Sequence, residues 1–336
     1  MFSVTNSRGF VPQSEQFEDR EMIGEDIKAY KIIHEGDFAY NPARINVGSI
    51  AKYDKSEPCM ISSLYVCFKA LPQINNEWLM QLLKTPKMNF YYNVNGEGGV
   101  RVYLFYPNFA RIRTSYPSLA EQQKIASFLS LLDQRIETQR KIIEDLKKLK
   151  DAISFILFTS ETCDKWELSN LATIVMGQSP SSQYYNTDNE GLPLIQGNLD
   201  ITKGKLTPRI YSSEMTKKCH TGDVILTVRA PVGEVAIADF DACIGRGVCA
   251  IRPFNSTYSV LIYQFLQHYK PKWISLEQGS TFTSVSRNDI MSIKIGIPSI
   301  QAIEILNILD DKISIEDVIL NNLNSQKNYL LTQLFI

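Results

Sequence analysis

Residues 117–158 read PSLAEQQKIASFLSLLDQRIETQRKIIEDLKKLKDAISFILF. Ser118 three residues before Glu121, just after Pro117, forms a capping box and predicts a helix start. From there Ile125, Leu129, Leu132, Ile136, Gln139, Ile143, Leu146, Lys150, Ile153 and Leu157 keep a heptad spacing. That pattern predicts a long coiled-coil helix rather than an ordinary surface helix. At 1.5 Å per residue, 40 residues would extend about 60 Å.

The same pattern returns 177 residues later as Ala302, Leu306, Leu309, Ile313, Glu316, Leu320, Leu323, Lys327, Leu330 and Leu334. Its polar interruptions fall at the same places, Gln139 with Glu316 and Lys150 with Lys327. Polar seam residues cost stability and fix register. Residues 119–158 carry seven basic and six acidic side chains, and residues 300–336 carry two and five. Opposite net charge favours pairing one helix with the other, and an antiparallel pair would hold two domains at opposite ends. The competing expectation is that each helix packs on its own domain. The residues expected at the helix and subunit interface are Ile125, Leu129, Leu132, Ile136, Ile143, Leu146, Leu306, Leu309, Ile313, Leu320 and Leu323.

The repeat extends upstream. Gly36-Asp37 returns as Gly222-Asp223, Arg44 as Arg229, Gly48 and Ala51 as Gly233 and Ala236, Pro86-Lys87 as Pro271-Lys272, and Pro117-Ser118 as Pro298-Ser299. The matches are collinear, with small offset drifts where loops would sit, so the chain reads as a tandem duplication. The expected layout is α+β. A mixed α/β domain spans 1–118, a helical spacer 119–160, a second mixed domain 161–299 and a second spacer 300–336. Each domain is expected to hold a strand after its Gly-Asp and one helix, roughly Asn76–Tyr92 and Ser259–Trp273. The first copy has 35 residues ahead of Gly36, whereas the second has 56 from Trp166 to Thr221. The first domain therefore looks about 20 residues short at its start, with no match to the WELSNLATI strand.

A formal charge of −1 gives no global nucleic-acid signature, so any such function must rest on local features. No signal peptide and no apolar run long enough for a membrane span is read, and a cytoplasmic location is expected. Six scattered cysteines lack a CxxC pair, and His34, His220 and His268 stand at no ligand spacing, so no metal site is expected. Walker A, GxSxG and HExxH motifs are absent from the sequence, and no catalytic residue is assigned. Arg44 and Arg229 each lie four residues before a turn glycine, Arg101 follows a glycine loop and Arg246 sits between glycines. Such arginines can approach a phosphate or a base edge closely. Asn46 lies beside Arg44, and the polar loops GQSPSSQYYN and QGSTFTSVSRND add Ser179, Ser182, Ser280 and Thr281 as candidate DNA contacts. Each could equally be a solvated loop residue.

Pro117 to Ala126, Leu132-Asp133, Ile136, Ile142-Ile143, Leu146, Lys150 and Leu157-Phe158 resemble the specificity subunit of type I restriction–modification enzymes. So do VPQSEQF at 11–17, GDFAYNPARINVGSIA at 36–51 and Gly177–Pro180. Two departures stand out. Family members usually carry a further segment before the SVT stretch, and the second helix reads PSIQAIEI without the Glu-Gln pair. The resemblance implies a non-catalytic DNA-recognition subunit. Two target-recognition domains would each read half of a bipartite site, about a helical turn or a multiple apart, roughly 34 Å. The partners implied are double-stranded DNA, modification (methyltransferase) subunits, expected as two, and restriction (nuclease) subunits. S-adenosylmethionine, ATP and magnesium would bind those partners and none would bind this chain. Alternatively, the short first domain makes this an inactive or donor copy serving as a helical scaffold. A self-contained nuclease or methyltransferase is the weakest reading.

Overall fold

The computed structural model describes residues 1–16, 29–99, 102–160, 164–278 and 284–335. They divide into two compact units, the first of residues 1–141 and 317–336 and the second of residues 142–316. Both long helices are thus shared between the units.

Unit 1 opens with β1 (Phe2–Thr5), β2 (Gly9–Pro12) and the single turn α1 (Gln13–Gln16). Strands β3 (Lys31–Ile33), β4 (Phe38–Tyr40), β5 (Ile50–Lys52), β6 (Cys59–Ile61) and β7 (Val66–Phe68) follow. They form two small sheets, ordered β2-β1-β6-β3 and β5-β4-β7. Helices α2 (Asn76–Leu83), α3 (Pro86–Asn95) and α4 (Tyr106–Phe109) cover the second sheet and lead to α5 (Leu119–Thr159). The one helix expected over Asn76–Tyr92 is broken. Lys84 closes α2, and the Thr85 hydroxyl then accepts the Met88 N–H, capping α3, while Pro86 supplies the fixed φ that suits a first helical position.

Unit 2 contains β8 (Lys165–Glu167), β9 (Ala172–Met176), β10 (Tyr185–Asn186), β11 (Leu192–Ile195), β12 (Ile201–Thr202), β13 (Lys205–Leu206), β14 (Ile210–Ser212) and β15 (Lys218–Cys219). Then come β16 (Val224–Thr227), β17 (Val235–Ile237), β18 (Ala242–Ile244) and β19 (Val248–Pro253). Helix α6 (Thr257–Gln278), the short α7 (Arg287–Met291), β20 (Lys294–Gly296) and α8 (Ile300–Leu334) complete it. The main sheets are β10-β14-β11-β18-β15 and β17-β16-β19-β9. Here the helix runs on through Pro271. The position equivalent to Thr85 is Lys270, which reaches Glu234 instead of capping a new helix. The WELSNLATI strand is also two strands. A turn at Leu168–Asn170 sends β8 to pair with β20 and β9 with β19, because Leu168 and Leu171 both point into the core.

Pairing directions match the units element by element. β1 lies parallel to β6 and antiparallel to β2, as β11 lies parallel to β18 and antiparallel to β14. β4 sits between β5 and β7 as β16 sits between β17 and β19. The Gly-Asp repeat becomes intelligible. Asp37 accepts the His34 N–H at 3.1 Å and Asp223 accepts the His220 N–H at 2.9 Å, closing identical turns before the central strand. Strands β8, β9 and β10 have no equivalent among the described residues of unit 1.

The long helices run antiparallel within each unit. In unit 1, Ala126 and Leu129 share a core with Leu331 and Phe335, and further along α5, Asp133 pairs with Lys327. In unit 2, Lys150 pairs with Asp310, and Phe158 shares a core with Ile303 and Leu306. All eleven expected interface residues are buried or half-buried. The helices also pack laterally on the domains, so seam and domain packing coexist. Trp78 meets Phe335 with ring centroids 5.7 Å apart in unit 1, and Phe158 meets Phe265 at 5.4 Å in unit 2.

The described cysteines are free thiols. Cys249, in the middle of the core sheet, is pushed up to about 12 by burial, which keeps it protonated and unreactive. No helix among the described residues is long and apolar enough to cross a membrane.

Candidate nucleic-acid interface

In unit 2, strand register gathers several loops at one end. Thr227 at the end of β16 lies beside Val248 at the start of β19, Met176 at the end of β9 beside Cys249, and Ile195 of β11 beside Ile244 of β18. The segments 177–184, 196–200, 228–233 and 245–247 therefore leave the sheets side by side. Backbone bonds stitch them together. Gly177 N–H donates to Val248 O at 3.0 Å, Gln178 N–H to Ile244 O at 2.9 Å and Gly245 N–H to Ile195 O at 2.8 Å. Val228 N–H donates to Gly247 O at 2.9 Å, and Val285 N–H to Val228 O at 2.9 Å.

Glycine is required where these loops touch. A Cβ on Gly177 would lie 2.1 Å from Gly245 O, and one on Gly247 would lie 2.0 Å from Gln196 O. The cluster is therefore rigid backbone, with side chains projecting from it. Arg229 and Arg246 are exposed, and Ser182 is exposed at the start of a short turn. Ser179 Oγ accepts the Arg246 N–H at 3.1 Å, so two expected contacts, Ser179 and Arg246, are brought together directly. Arg229 is joined to the same cluster by its backbone bridge to Ser284. Ser280, Thr281 and Arg101 lie outside the described residues.

Unit 1 presents the equivalent end. Residues 41–49 connect β4 to β5 and carry Arg44 just before a 3-10 turn, Ile45–Val47. Gly48 closes that turn at φ +94°, and Gly233 holds φ +97° after Arg229. The repeated glycine therefore answers a left-handed backbone position in both copies. Arg44 is exposed, whereas Asn46 spends its amide on Asn93 Oδ1 at 3.0 Å. Ser49 Oγ donates to Val4 O at 2.7 Å and ties this loop to the β1–β2 hairpin. Between them lies a cleft of about 260 Å³ lined by Thr5, Ser7, Arg8, Arg44 and Ser49 among others. Arg8 was not singled out from sequence. The Asn6–Gly9 turn signal around it was available, but nothing local says that its hairpin folds back beside Arg44.

Neither end resembles a catalytic centre. The residues offered are guanidinium groups, hydroxyls, amides and backbone N–H groups, which suit anionic backbones and base edges. Among the described residues, no group of three or more histidine, cysteine, aspartate or glutamate side chains is placed to hold a metal ion.

Comparison with known proteins shows the family and the fold. The family model described as the type I restriction modification DNA specificity domain matches residues 23–148 and 161–325. The chain is 30% identical over 302 residues to a putative type I restriction enzyme specificity subunit of Methanocaldococcus jannaschii, covering 82% of this chain and 71% of that one. A chain solved in work on complex assembly and conformational transition of the type I R-M system superposes with TM-score 0.63 at 24% identity, covering 91% of this chain and 83% of that one. The S subunit from M. genitalium superposes with TM-score 0.64 at 17% identity, covering 90% and 84%. The HsdS subunit from Thermoanaerobacter tengcongensis gives 0.51 at 23%, covering 91% and 82%.

Proposed function

This chain belongs to the family of type I restriction–modification DNA specificity subunits, which are non-catalytic, and on that premise we propose that it reads a bipartite DNA site and docks the modification subunits. The observation that carries the reading is the repeated loop end. Each unit presents an exposed arginine, Arg44 or Arg229, four residues before a left-handed glycine, on loops fixed by equivalent strands. Two equivalent reading ends on one chain suit a site of two halves. The continuous helices α5 and α8, each shared by both units, are the element that would set the gap.

Partner docking has its own support. Phe128 and Leu131 of α5 are exposed, and the residues 177 positions later, Ile305 and Ile308 of α8, are exposed too. Apolar side chains held open at matching places suit two copies of one partner. S-adenosylmethionine, ATP and magnesium would enter with the partner subunits.

Selection of bound duplexes from a randomised pool, using the chain reconstituted with its modification subunits, tests the proposal. Two constant blocks separated by a fixed unspecified gap are expected. A single block, or no enrichment, rejects bipartite reading. A single block would favour the second reading, a helical scaffold with one working reader, which draws on the lack of β8–β10 equivalents among the described residues of unit 1.

A further inference from the structure

At the loop end of unit 1, aromatic side chains stand where unit 2 has polar ones. The Leu104 N–H donates to Pro42 O at 3.0 Å, and the Val285 N–H donates to Val228 O at 2.9 Å. Pro42 lies four residues after Phe38 and Val228 four after Val224, the residues that open the matched strands β4 and β16. Leu104 is 0% exposed and Val285 2%, so both segments are anchored alike. Tyr103, Phe105 and Tyr106 therefore match Ser284, Ser286 and Arg287, and all six are exposed. In unit 2 a backbone bridge sets Ser284 against Arg229. In unit 1 the Leu104–Pro42 bond sets Tyr103 and Phe105 against the 41–49 loop that carries Arg44.

Local stability does not explain the aromatic set. Ser286 caps α7: its hydroxyl accepts the Asp289 N–H at 3.3 Å, and Asp289 accepts the Ser286 N–H at 2.9 Å. Phe105 holds the same N-cap position ahead of α4 without a side-chain cap. Serine is a preferred N-cap and an apolar side chain is not. Burial does not explain the rings either, because Phe105 is 49% exposed, Tyr103 37% and Tyr106 53%. The Tyr103 and Phe105 rings lie nearly parallel, with 13° between their planes and 6.1 Å between centroids. Together they make one exposed apolar ridge.

We infer, on the proposed reading of DNA by both loop ends, that this ridge selects thymine in the half-site of unit 1, packing Tyr103 and Phe105 against a C5-methyl group in the major groove. The Phe105 side chain offers no hydrogen bond, and the thymine methyl is the apolar group that base pairs expose in that groove. At the matched place unit 2 offers two hydroxyls and a guanidinium, which suit hydrogen-bonding base edges or phosphates. One scaffold would thus choose bases by apolar contact in unit 1 and by hydrogen bonding in unit 2.

The test titrates the chain, reconstituted with its modification subunits, with duplexes of the selected site in which thymines are replaced one at a time by deoxyuridine. Deoxyuridine keeps the hydrogen-bonding groups and removes only the methyl. At one thymine or more of a single half, binding should weaken about fourfold, as expected for one methyl group no longer buried. That loss should vanish when Tyr103→Ser and Phe105→Ser are combined. The salt dependence of binding should stay the same, because neither ring neutralises a phosphate. Phe105→Ser supplies a capping residue, so the thermal midpoint should hold. A bipartite site at which every deoxyuridine is silent, or costs parent and variant alike, overturns the thymine contact and leaves the reading of DNA standing. Failure to select any site removes both. A variant that assembles with fewer modification subunits by light scattering overturns the inference in favour of a protein contact.

Discussion

Lys150 Nζ lies 2.6 Å from Asp310 Oδ1, and 177 residues out of phase Lys327 pairs with Asp133. Each pair joins a polar seam position of one long helix to an aspartate of the other, inside a single unit. Glutamines complete both sites. Gln264 Nε2 donates to Asp310 Oδ2 at 2.7 Å, and Gln81 Nε2 donates to Asp133 Oδ2 at 3.1 Å. A charge left in an apolar seam is costly unless paired, so these two sites accept one antiparallel register and reject slips.

Lys150→Met should therefore destabilise unit 2 by about 1–3 kcal/mol, because it leaves Asp310 partly buried without its cation. Lys150→Met combined with Asp310→Leu should recover most of that loss. Denaturant unfolding followed by probes in each unit measures it. Equal losses in the single and double variants would show that the pair contributes nothing beyond side-chain packing.

Sequence periodicity revealed these seam lysines but not their partners. Asp310 and Asp133 each lie one residue off a heptad position, and the heptad pattern marks only the inward face. Only the antiparallel pairing shows which flank meets which lysine. The same limit explains the broken helix at Pro86. The repeat matched Pro86 to Pro271, yet the outcome at each depends on the preceding residue, a capping threonine in one copy and a lysine in the other. Arg44 and Arg229 were legible because duplication repeats them with their glycines. Arg8 was not, since its place in the cleft depends on a long-range fold of the hairpin.

Gly247→Ala should reduce DNA binding without removing any group that could touch DNA. The new Cβ would meet Gln196 O at 2.0 Å, a backbone atom that no side-chain rotation can move aside, so segments 196–200 and 245–247 must separate. Arg246 and Ser179 would then lose their fixed spacing. A five-fold or larger loss of affinity is expected with the unit 1 half of the site read normally. Unchanged affinity and an unchanged thermal midpoint would mean that the loops are not rigid.

Arg44→Ala and Arg229→Ala should each relax one half of the selected site. A base-contacting arginine lost to alanine costs about 1–3 kcal/mol and loosens the choice at its own position, whereas a phosphate contact weakens all sequences and lowers the salt slope by about one. Binding isotherms at several salt concentrations, on duplexes altered in one half at a time, separate the two cases. If both variants lose affinity for the same half, the loop ends do not read separate halves.

His268 offers a pH test of unit 2. Burial first, and then Lys272, hold its imidazole below the usual histidine range, against a smaller opposite pull from Asp151. Its ring stands 6.3 Å from that of Phe155 and 5.7 Å from that of Phe158. The unfolded chain titrates this group near about 6.5. Below that pH the unfolded state takes up a proton that the folded state resists, so stability falls as pH drops toward the lower folded value. Above it, the contribution is constant. His268→Gln should flatten this part of the stability profile, and an unchanged slope would show that other groups cause it.

Partner docking is tested on the outward faces of the helices. Leu131 and Ile308 are equivalent by the 177-residue offset, and both are exposed away from the seam. Aspartate at an exposed helical position costs the fold little, within about 0.5 kcal/mol, but it would place an unpaired carboxylate in an apolar contact. Leu131→Asp alone should therefore yield complexes one modification subunit short by light scattering, and Ile308→Asp should do the same through the other site. The double variant should bind none while its thermal midpoint stays close to that of the parent chain. If both single variants still assemble with the full complement, docking uses another surface and the matched exposed residues are incidental to it.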